Sequence, residues 1–218
     1  QGPKLILAYS SFIGEFYVGL LVLWTILISF GYIFLKKDIF KLMRIIREPT
    51  MLAFATASSE SAYPKTMEAL DKFGVPKRIT SFVLPLGYSF NLDGSMMYMS
   101  FAVLFIAQAY NIDLSFSQQA LILFTLMITS KGIAGVSRAS IVVIASTLAM
   151  FKLPEAGILL ILAIDQFLDM GRTATNVIGN SIATAVIART EGNKDEITDE
   201  EAVIVNTITP VNPLADNN

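Results

Sequence analysis

The sequence predicts an all-α membrane protein built as an inverted repeat, in which a re-entrant helical hairpin is followed by a transmembrane helix. Three observations lead to this fold class. Hydrophobic residues make up 54% of the chain and charged residues 16%, whereas a soluble domain usually carries about 25% charged residues. The basic residues cluster in some predicted loops and are almost missing from others. Polar residues also interrupt several of the apolar segments, which are otherwise long enough to enter a bilayer.

The composition also excludes several kinds of site. Histidine and cysteine are both absent, so the chain cannot build a disulfide framework, a thiolate or histidine zinc site, or a Ser-His-Asp triad. No basic stripe alternates with aromatic residues, which argues against a nucleic-acid partner. We therefore predict neither an enzyme nor an organic cofactor. The chain begins at Gln1 without a visible signal peptide, and we expect it to be a fragment or a processed form.

The first half predicts a transmembrane helix and a hairpin. Residues 5–36 are apolar except for Glu15 and are long enough to span a bilayer with some tilt. Basic blocks then stand on both sides of residues 51–63. By the positive-inside rule both blocks are cytoplasmic, so that stretch cannot cross the membrane completely. Residues 39–73 are accordingly predicted to form a re-entrant hairpin.

The first hairpin and the helix after it form one unit of the repeat, and a second hairpin and helix repeat this unit from the opposite face. A predicted helix over 79–110 is broken by Asn91-Leu92-Asp93-Gly94. The loops around residues 120–151 are nearly free of Lys and Arg, so both are expected outside, and 117–151 is predicted as a second re-entrant hairpin. A helix over 157–190 completes a membrane domain at 1–192. Residues 193–218 are acidic and polar and predict a disordered cytoplasmic tail, with a possible short helix near Asp199–Val205.

The last predicted helix carries polar side chains along one face. There are five such side chains, and at about 100° per residue their positions lie within roughly 80° of arc around the helix. Ionisable groups in hydrocarbon cost several kcal/mol each, so the stripe must face protein, water or a ligand. A buried salt-bridge network that holds a helix bundle together and a binding site both satisfy this requirement. The stripe consists of Asp165, Asp169, Arg172, Asn176 and Asn180.

Inverted repeats with interrupted helices are typical of secondary transporters. Non-helical backbone at membrane depth is tolerated where it lines a cavity or is buried in protein. The two hairpin tips and the break near Asn91 are therefore expected to converge near the middle of the bilayer. There the helix ends offer N–H groups to anions and carbonyl groups to cations.

Several residues in these segments have both a binding and a structural interpretation. The fork of Arg172 matches a carboxylate, while Asp169 can either accept a substrate ammonium or neutralise Arg172. Asp93 in the break suits a small hard cation, although an Asp at such a position can also cap a helix. Ser58 and Ser59 at the first tip can donate to a carboxylate, but serine is also an ordinary turn residue.

The tips themselves carry glycines and charges. Gly132 and Gly135 suit a flexible gate, and glycine equally suits any tight turn. Glu60, Lys131 and Arg138 place three charges at the tips, which is costly unless the charges are paired.

Over about residues 16–192, these motifs resemble the dicarboxylate/amino acid:cation symporters, the family of the excitatory amino acid transporters and their bacterial relatives. The resemblance implies the transport domain of a glutamate-transporter-like fold, working as a homotrimer in the plasma membrane by an elevator-type movement, with its C-terminus in the cytoplasm. It also implies that scaffold and trimerisation helices precede Gln1. The motifs that carry it are Ser58-Ser59, Asn91-Leu92-Asp93-Gly94, Gly132-Ile133-Ala134-Gly135-Val136 and Asp169-Met170-Gly171-Arg172-Thr173 with Asn176.

The same resemblance implies roles for individual residues. Arg172 would hold the substrate side-chain carboxylate and Asp169 its amino group. The implied substrate-binding set is Ser58, Ser59, Ser95, Val136, Asp169, Arg172, Thr173 and Asn176. The implied cation-binding set is Gly87, Asn91, Asp93, Asn176 and Asn180, with sodium a candidate at Asn91 and Asp93. The coupling and gating set is Glu60, Lys131, Gly132, Gly135 and Asp165.

Two departures from the sodium-coupled members bear on the coupling ion. Asn180 stands where those members have an Asp that binds sodium, and losing that charge weakens a site for a hard cation. Lys131 stands where they have an uncharged residue, and its ammonium could replace a bound cation while pairing with Glu60. We therefore hypothesise coupling to protons, with sodium as a second candidate ion. The proton carrier would be Glu60, Asp165 or Asp93.

The leading functional hypothesis is a symporter for glutamate or aspartate. A C4-dicarboxylate symporter for malate, succinate or fumarate is the alternative within the same family, and Asp169 argues against it because it would repel a plain dicarboxylate. An intramembrane aspartyl protease using Asp93 and Asp169 is a remote alternative, since Arg172 would keep Asp169 ionised. A channel is a further alternative, but no continuous pore is evident in the sequence.

Overall fold

The computed structural model of the chain describes the backbone of residues 2–131 and 139–208, and side chains within 7–131 and 140–192. All regular secondary structure in these ranges is helical. Two helical stretches in the described part are long and apolar enough to cross a membrane, Leu7–Leu35 and Lys77–Ala109.

Helix α1, Gly2–Leu35, is the first of these and close to the predicted 5–36. Its outer face leaves large apolar side chains exposed, among them Leu7 and Ile26. Its inner face packs aromatic rings against a later helix, with Phe12 stacked on Phe105 at a centroid distance of 4.2 Å. The helix ends at Lys36, whose φ of 50° is left-handed.

Three shorter helices occupy the predicted first hairpin: α2, Asp38–Ile45, α3, Arg47–Thr56, and α4, Tyr63–Phe73. Helix α3 ends at Ala57, whose left-handed backbone accounts for the sharp turn that follows. Helix α4 returns along α3 and ends at Gly74, with a φ of 105° that favours glycine. The helical hairpin is therefore present in the structure, while its re-entrant placement in a membrane stays a prediction.

The next long apolar segment is interrupted. Helix α5, Lys77–Phe90, stops at Asn91, and α6, Asp93–Ala109, starts two residues later. Asn91 and Leu92 have φ near −110° and ψ of 74° and 63°, so the backbone between the two helices is not helical. The interruption is shorter than the four-residue motif, because Asp93 and Gly94 already form the first turn of α6.

The second half contains α7, Phe116–Thr129, and α8, Ala139–Met150. A capping box of Ser115 and Gln118 starts α7. A 3₁₀ turn, Glu155–Gly157, and a short α9, Ile158–Leu162, then lead into α10, Asp165–Ile208. The predicted second hairpin thus has two helical arms, but its tip lies outside the described residues.

Helix α10 is longer than the sequence predicted. Residues 193–208, predicted as the start of a disordered tail, continue the helix, and the short helix expected near Asp199–Val205 lies inside it. The predicted helix over 157–190 is also divided, because α9 and α10 meet at a turn near Ala163. Residues 209–218 are outside the described part of the chain, and the cytoplasmic placement of this end stays a prediction.

Helix α10 packs against α1, α3, α5 and α6, and α7 and α8 pack against α6. One hydrophobic cluster joins the first half of α1 to α6, α7 and α8 and includes Leu168 of α10. A second cluster joins the second half of α1 to α2, α4 and α5 and includes Ile178 and Ile182. The polar stripe of α10 therefore lies in the middle of the helical body, between two apolar cores.

Candidate functional site

The polar stripe of α10 is buried over its whole length. Asp165 and Asp169 are each 2% exposed, Arg172 and Asn176 are fully buried, and Asn180 is 1% exposed. Sequence periodicity predicted that these side chains share a face, and the structure encloses that face within protein. Since buried charges must be paired or bind a ligand, the contacts of each residue decide between the structural and the binding interpretation.

Arg172 is held between α10 and the start of α6. Its Nε donates to Asp169 Oδ1, and its Nη1 donates to Ser95 Oγ at 3.2 Å. Its Nη2 has no hydrogen-bond partner among the described residues. A guanidinium can donate five hydrogen bonds, so this buried fork keeps donor capacity for an anion. The ion pair with Asp169 also argues against two aspartates sharing one proton, the arrangement an aspartyl protease needs.

Asn176 fastens α10 to the break between α5 and α6. Its Oδ1 accepts from the backbone N–H groups of Gly94 at 2.9 Å and Ser95 at 3.3 Å. Its Nδ2 donates to Ser95 Oγ at 3.1 Å. These are N–H groups of the first turn of α6, which have no partner within their own helix. Asn176 therefore acts as a cap supplied by another helix, and a direct contact with substrate stays a prediction.

The close contact between α6 and α10 also explains why position 94 is a glycine. A Cβ at Gly94 would collide with the carbonyl oxygen of Arg172. The close approach of α6 to α10 thus requires a residue without a side chain. This contact brings Ser95 beside both Arg172 and Asn176.

The residues predicted to bind a cation lie together at the break. Asn91 Nδ2 donates to Asn180 Oδ1 at 3.1 Å. A Cβ at Gly87 would lie 2.5 Å from Asn180 Oδ1, and one at Gly179 would meet Asp93 Oδ2. The amide Nδ2 of Asn180 has no partner among the described residues. The structure therefore brings Gly87, Asn91, Asp93 and Asn180 to one place.

The side chains of this donor set carry little negative charge. Asp93 is its one carboxylate, and no group of three or more acidic residues that could hold a metal ion occurs in the described part of the chain. The amide oxygen of Asn180 already accepts from Asn91. Hard cations are selected by oxygen ligands and their charge. These side chains supply one charged ligand, and sodium binding at Asn91 and Asp93 stays a prediction.

Lys131, two residues after the end of α7, reaches the break between α5 and α6. Its Nζ donates to the backbone carbonyl of Phe90 at 2.6 Å, and Phe90 is the last residue of α5. It is also close enough to Asp93 for a Coulombic interaction. The C-terminal carbonyls of a helix carry partial negative charge, which favours a cation there. The expected pairing of Lys131 with Glu60 is wrong: no ion pair joins these two residues, both of which the structure describes, and Glu60 is exposed.

The tip of the first helical hairpin lies against α10. Thr173 Oγ1 donates to the carbonyl of Ala53 in α3 at 2.9 Å, and Val177 packs on Ala53 and Ala62. Ser59 is fully buried and its hydroxyl has no partner among the described residues. Ser58 differs, because its Oγ accepts from the N–H of Ser61 at 3.4 Å. Ser59 is thus the serine whose hydroxyl is available to a ligand.

Some predicted residues cannot be placed. Gly132, Gly135 and Val136 lie outside the described residues, so their gating and substrate roles stay predictions. Asp165 is placed and is buried, and Tyr98 OH donates to its Oδ1 at 2.5 Å.

Several contacts that other helices make with α10 were not predicted from the sequence. Tyr98 gave no signal because an aromatic residue in an apolar helix is ordinary core. Trp24 of α1 donates to Thr175 Oγ1 at 2.7 Å, and Tyr17 donates to the carbonyl of Phe167 at 2.7 Å. Glu15, the obvious polar residue of α1, instead accepts from Ser11 one turn away. The single Trp in an otherwise apolar helix was the one available clue.

Comparison with known protein families and proteins gives consistent matches. The model of the sodium:dicarboxylate symporter family matches residues 1–190. The chain is 52% identical over 159 residues to a proton/sodium-glutamate symport protein of Bacillus caldotenax, covering 73% of this chain and 38% of that protein. It is 51% identical over 154 residues to the proton/glutamate-aspartate symporter of Escherichia coli K12, covering 71% and 35%.

A protein named for a different substrate is also similar. The C4-dicarboxylate transport protein of Bacillus subtilis 168 is 43% identical over 162 residues, covering 74% of this chain and 38% of that protein. The matched part of this chain thus spans between 35% and 38% of the length of these three relatives.

Proposed function

The chain belongs to the sodium:dicarboxylate symporter family, and we propose that it forms the substrate-binding part of a secondary symporter for glutamate or aspartate. The observation that carries this proposal is the buried Arg172 beside Asp169, with one guanidinium nitrogen unpartnered. An acidic amino acid presents a side-chain carboxylate and an ammonium group. A cation and an anion three residues apart on one helix face match these two groups.

Neighbouring groups complete the proposed site. Ser59, buried without a partner at the hairpin tip, would donate to the main carboxylate. Ser95 would lie against the substrate, since it already contacts Arg172 and Asn176. Thr173 donates to a backbone carbonyl of α3 and would hold the tip of the first hairpin against the stripe. Val136 and the second tip would close the site from the other side.

A C4-dicarboxylate symporter is the second candidate, because one of the similar proteins carries that name. The two candidates differ at Asp169. A substrate ammonium stabilises a buried carboxylate, whereas a dicarboxylate without an amine would meet like charge there. The presence of Asp169 favours the amino acid.

The Asp169→Asn variant tests this choice in the whole transporter. We expect aspartate affinity to fall about 10- to 150-fold, since charge-assisted hydrogen bonds contribute about 1.5–3 kcal/mol. Malate affinity should stay equal or increase, because its carboxylates no longer face Asp169. Both affinities can be measured by competition against labelled aspartate in detergent solution.

Asp71→Asn is the matched control, since Asp71 is exposed on α4 and outside the stripe. Its aspartate and malate affinities should equal those of the wild type. A wild-type protein that binds malate as tightly as aspartate, with no change in Asp169→Asn, would reverse the assignment in favour of the dicarboxylate.

For coupling, we propose protons as the driving ion. The ammonium of Lys131 on the α5 carbonyl occupies the position that a bound cation would take, and Asn180 supplies no charge. Asp165, Asp93 and Glu60 are the candidate proton carriers. Asp165 is the most enclosed of the three and is hydrogen-bonded to Tyr98.

The larger assembly is proposed by family membership. The chain would be the moving domain of a plasma-membrane homotrimer, with the rest of each subunit forming the scaffold and trimer contacts. Substrate would cross by an elevator-type displacement of this domain. The large apolar side chains exposed on α1 and α7 provide the surface for lipid and scaffold.

A further inference from the structure

Two adjoining open cavities lie far along α10 from the stripe, where the end of α1 meets α2. The first has a volume of about 360 Å³ and the second about 370 Å³. They share Leu35, Asp38 and Arg189 as lining residues. Among the described residues, those that line the two cavities do not belong to the proposed substrate or cation site.

Cations dominate the rims of this cavity pair. Lys41 and Arg189 line the first cavity, and Lys36 and Lys37 line the second with Arg189. Among the lining residues that the structure describes, Asp38 is the one carboxylate. Four basic groups against one acid make the cavity pair attractive to an anion.

The one ion pair among the described lining residues leaves the cations of the cavities available. Arg189 Nη2 is 3.9 Å from Asp38 Oδ2, and the two side chains are 60% and 52% exposed. Such an exposed, long pair holds its partners weakly. Lys41 lies over the ring of Phe73 at 5.8 Å, which orients its ammonium at the cavity wall without neutralising it.

An apolar surface continues from this basic rim. Leu35 and Val75 form a buried apolar wall of the first cavity. On the adjacent turns of α1, Phe30, Ile33 and Phe34 are 54%, 68% and 41% exposed. A matching ligand therefore has a negatively charged head and a hydrocarbon chain that can run along α1. A small free anion would use only the charged half of this surface.

We infer that this cavity pair binds the phosphate headgroup of an anionic phospholipid, with the acyl chains lying along the last turns of α1. Basic pockets between membrane helices are suited to such headgroups. The excess of Lys and Arg on this side places the lipid in the cytoplasmic leaflet. The site holds a lipid whichever substrate the transporter carries.

Thermal unfolding of the whole transporter in nonionic detergent tests the inference, with phosphatidylglycerol or phosphatidylcholine of identical acyl chains titrated into the micelles. Phosphatidylglycerol should raise the Tm of the wild type saturably, and phosphatidylcholine should not. In the double variant Lys41→Gln/Arg189→Gln, the apparent affinity for phosphatidylglycerol should fall roughly 30-fold. Native mass spectrometry should show the retained lipid in the wild type and its loss in this variant.

The control is Arg44→Gln/Lys72→Gln, which removes the same charges from exposed positions that line neither cavity. It should keep the wild-type response. An equal loss of affinity in both double variants would overturn the inference, since it would show a diffuse charge effect. Inorganic phosphate or glycerol phosphate raising the Tm as effectively as the lipid would also overturn it, by showing a site for a free anion.

Discussion

At the residue scale, five buried polar side-chain atoms have no hydrogen-bond partner among the described residues. Three belong to predicted site residues, Ser59 Oγ, Arg172 Nη2 and Asn180 Nδ2, and the other two are Tyr88 Oη and Ser140 Oγ. Leaving a buried donor unsatisfied costs about 1–3 kcal/mol. The free donors of Ser59 and Arg172, unlike the paired amide of Asn176, are explained if a ligand with several oxygen acceptors completes the site.

Ser59→Ala separates binding from stability at the first tip. Because the hydroxyl has no partner, its removal should leave the Tm of the unliganded protein unchanged or slightly raised. Substrate affinity should fall about 3- to 10-fold, the value of one hydrogen bond of roughly 0.5–1.5 kcal/mol. Thermal unfolding and labelled-aspartate binding measure the two effects.

Ser58→Ala is the neighbouring control. Its Oγ accepts from the N–H of Ser61, so this variant should lower the Tm and affect binding less. If Ser59→Ala instead lowered the Tm and left aspartate affinity intact, Ser59 would be a structural residue of the tip.

At the residue scale, the sequence predicts which residues of α10 share the buried face, but it does not predict their hydrogen-bond partners. A 3.6-residue period places Asp169, Arg172 and Asn176 on one face, and the structure buries all three. Periodicity carries no information about partners on other helices. The bonds of Asn176 to α6, and of Tyr98 to Asp165, depend on how the helices pack and could not be read from spacing.

At the scale of elements, the break between α5 and α6 is held by groups from elsewhere in the chain. Asn176 of α10 caps the N-terminal side of the break, and Lys131 after α7 occupies the C-terminal carbonyl of α5. Each half-helix end is therefore satisfied across a tertiary contact. This arrangement allows non-helical backbone in the middle of an apolar segment.

Asn176→Ala should show that the cap stabilises the break. The variant loses the acceptor for two backbone N–H groups, and an N-cap replaced by alanine costs about 0.5–2 kcal/mol. Asn176→Asp keeps the acceptor and adds a negative charge at a helix N-terminus, so it should recover part of this loss. Thermal unfolding in the absence of substrate measures both. A wild-type Tm in Asn176→Ala would mean that the cap contributes nothing.

Lys131→Gln tests the tethered cation. Without the ammonium, the Phe90 carbonyl and Asp93 lose their cation, and a sodium ion becomes the available replacement. We expect aspartate uptake by this variant to be stimulated by sodium, while the wild type is indifferent to it. Lys152→Gln, a similar change in the exposed loop after α8, should behave as the wild type. An unchanged ion requirement in Lys131→Gln would reject the tethered cation.

Element boundaries show what the local sequence can and cannot determine. The polar motif near Asn91 marks the break, because it interrupts an apolar run that would otherwise continue as helix. Polar composition was also used to predict the end of the last helix, and this prediction was too early, because residues 193–208 are polar yet helical. Acidic, polar composition is shared by disordered tails and by solvated helices, so it did not separate the two.

At the scale of the whole molecule, α10 connects two different surfaces. Its first half carries the buried stripe, and its later part contributes Arg189 to the basic cavities near the end of α1. Two apolar cores lie on either side of the stripe, whose side chains are buried. Charge–charge interactions are stronger in a buried environment than in water, which would suit the proposed recognition of a charged substrate.

The proton is the proposed driving ion of the whole transporter. The proposal rests on a described cation site that offers one carboxylate, Asp93, and lies beside the ammonium of Lys131. Uptake of labelled L-aspartate by the whole transporter, reconstituted in vesicles, tests this most directly. With an inward proton gradient and no sodium, we expect concentrative uptake that collapses when the pH is equal on both sides. Uptake that requires a sodium gradient and ignores the pH gradient would contradict it.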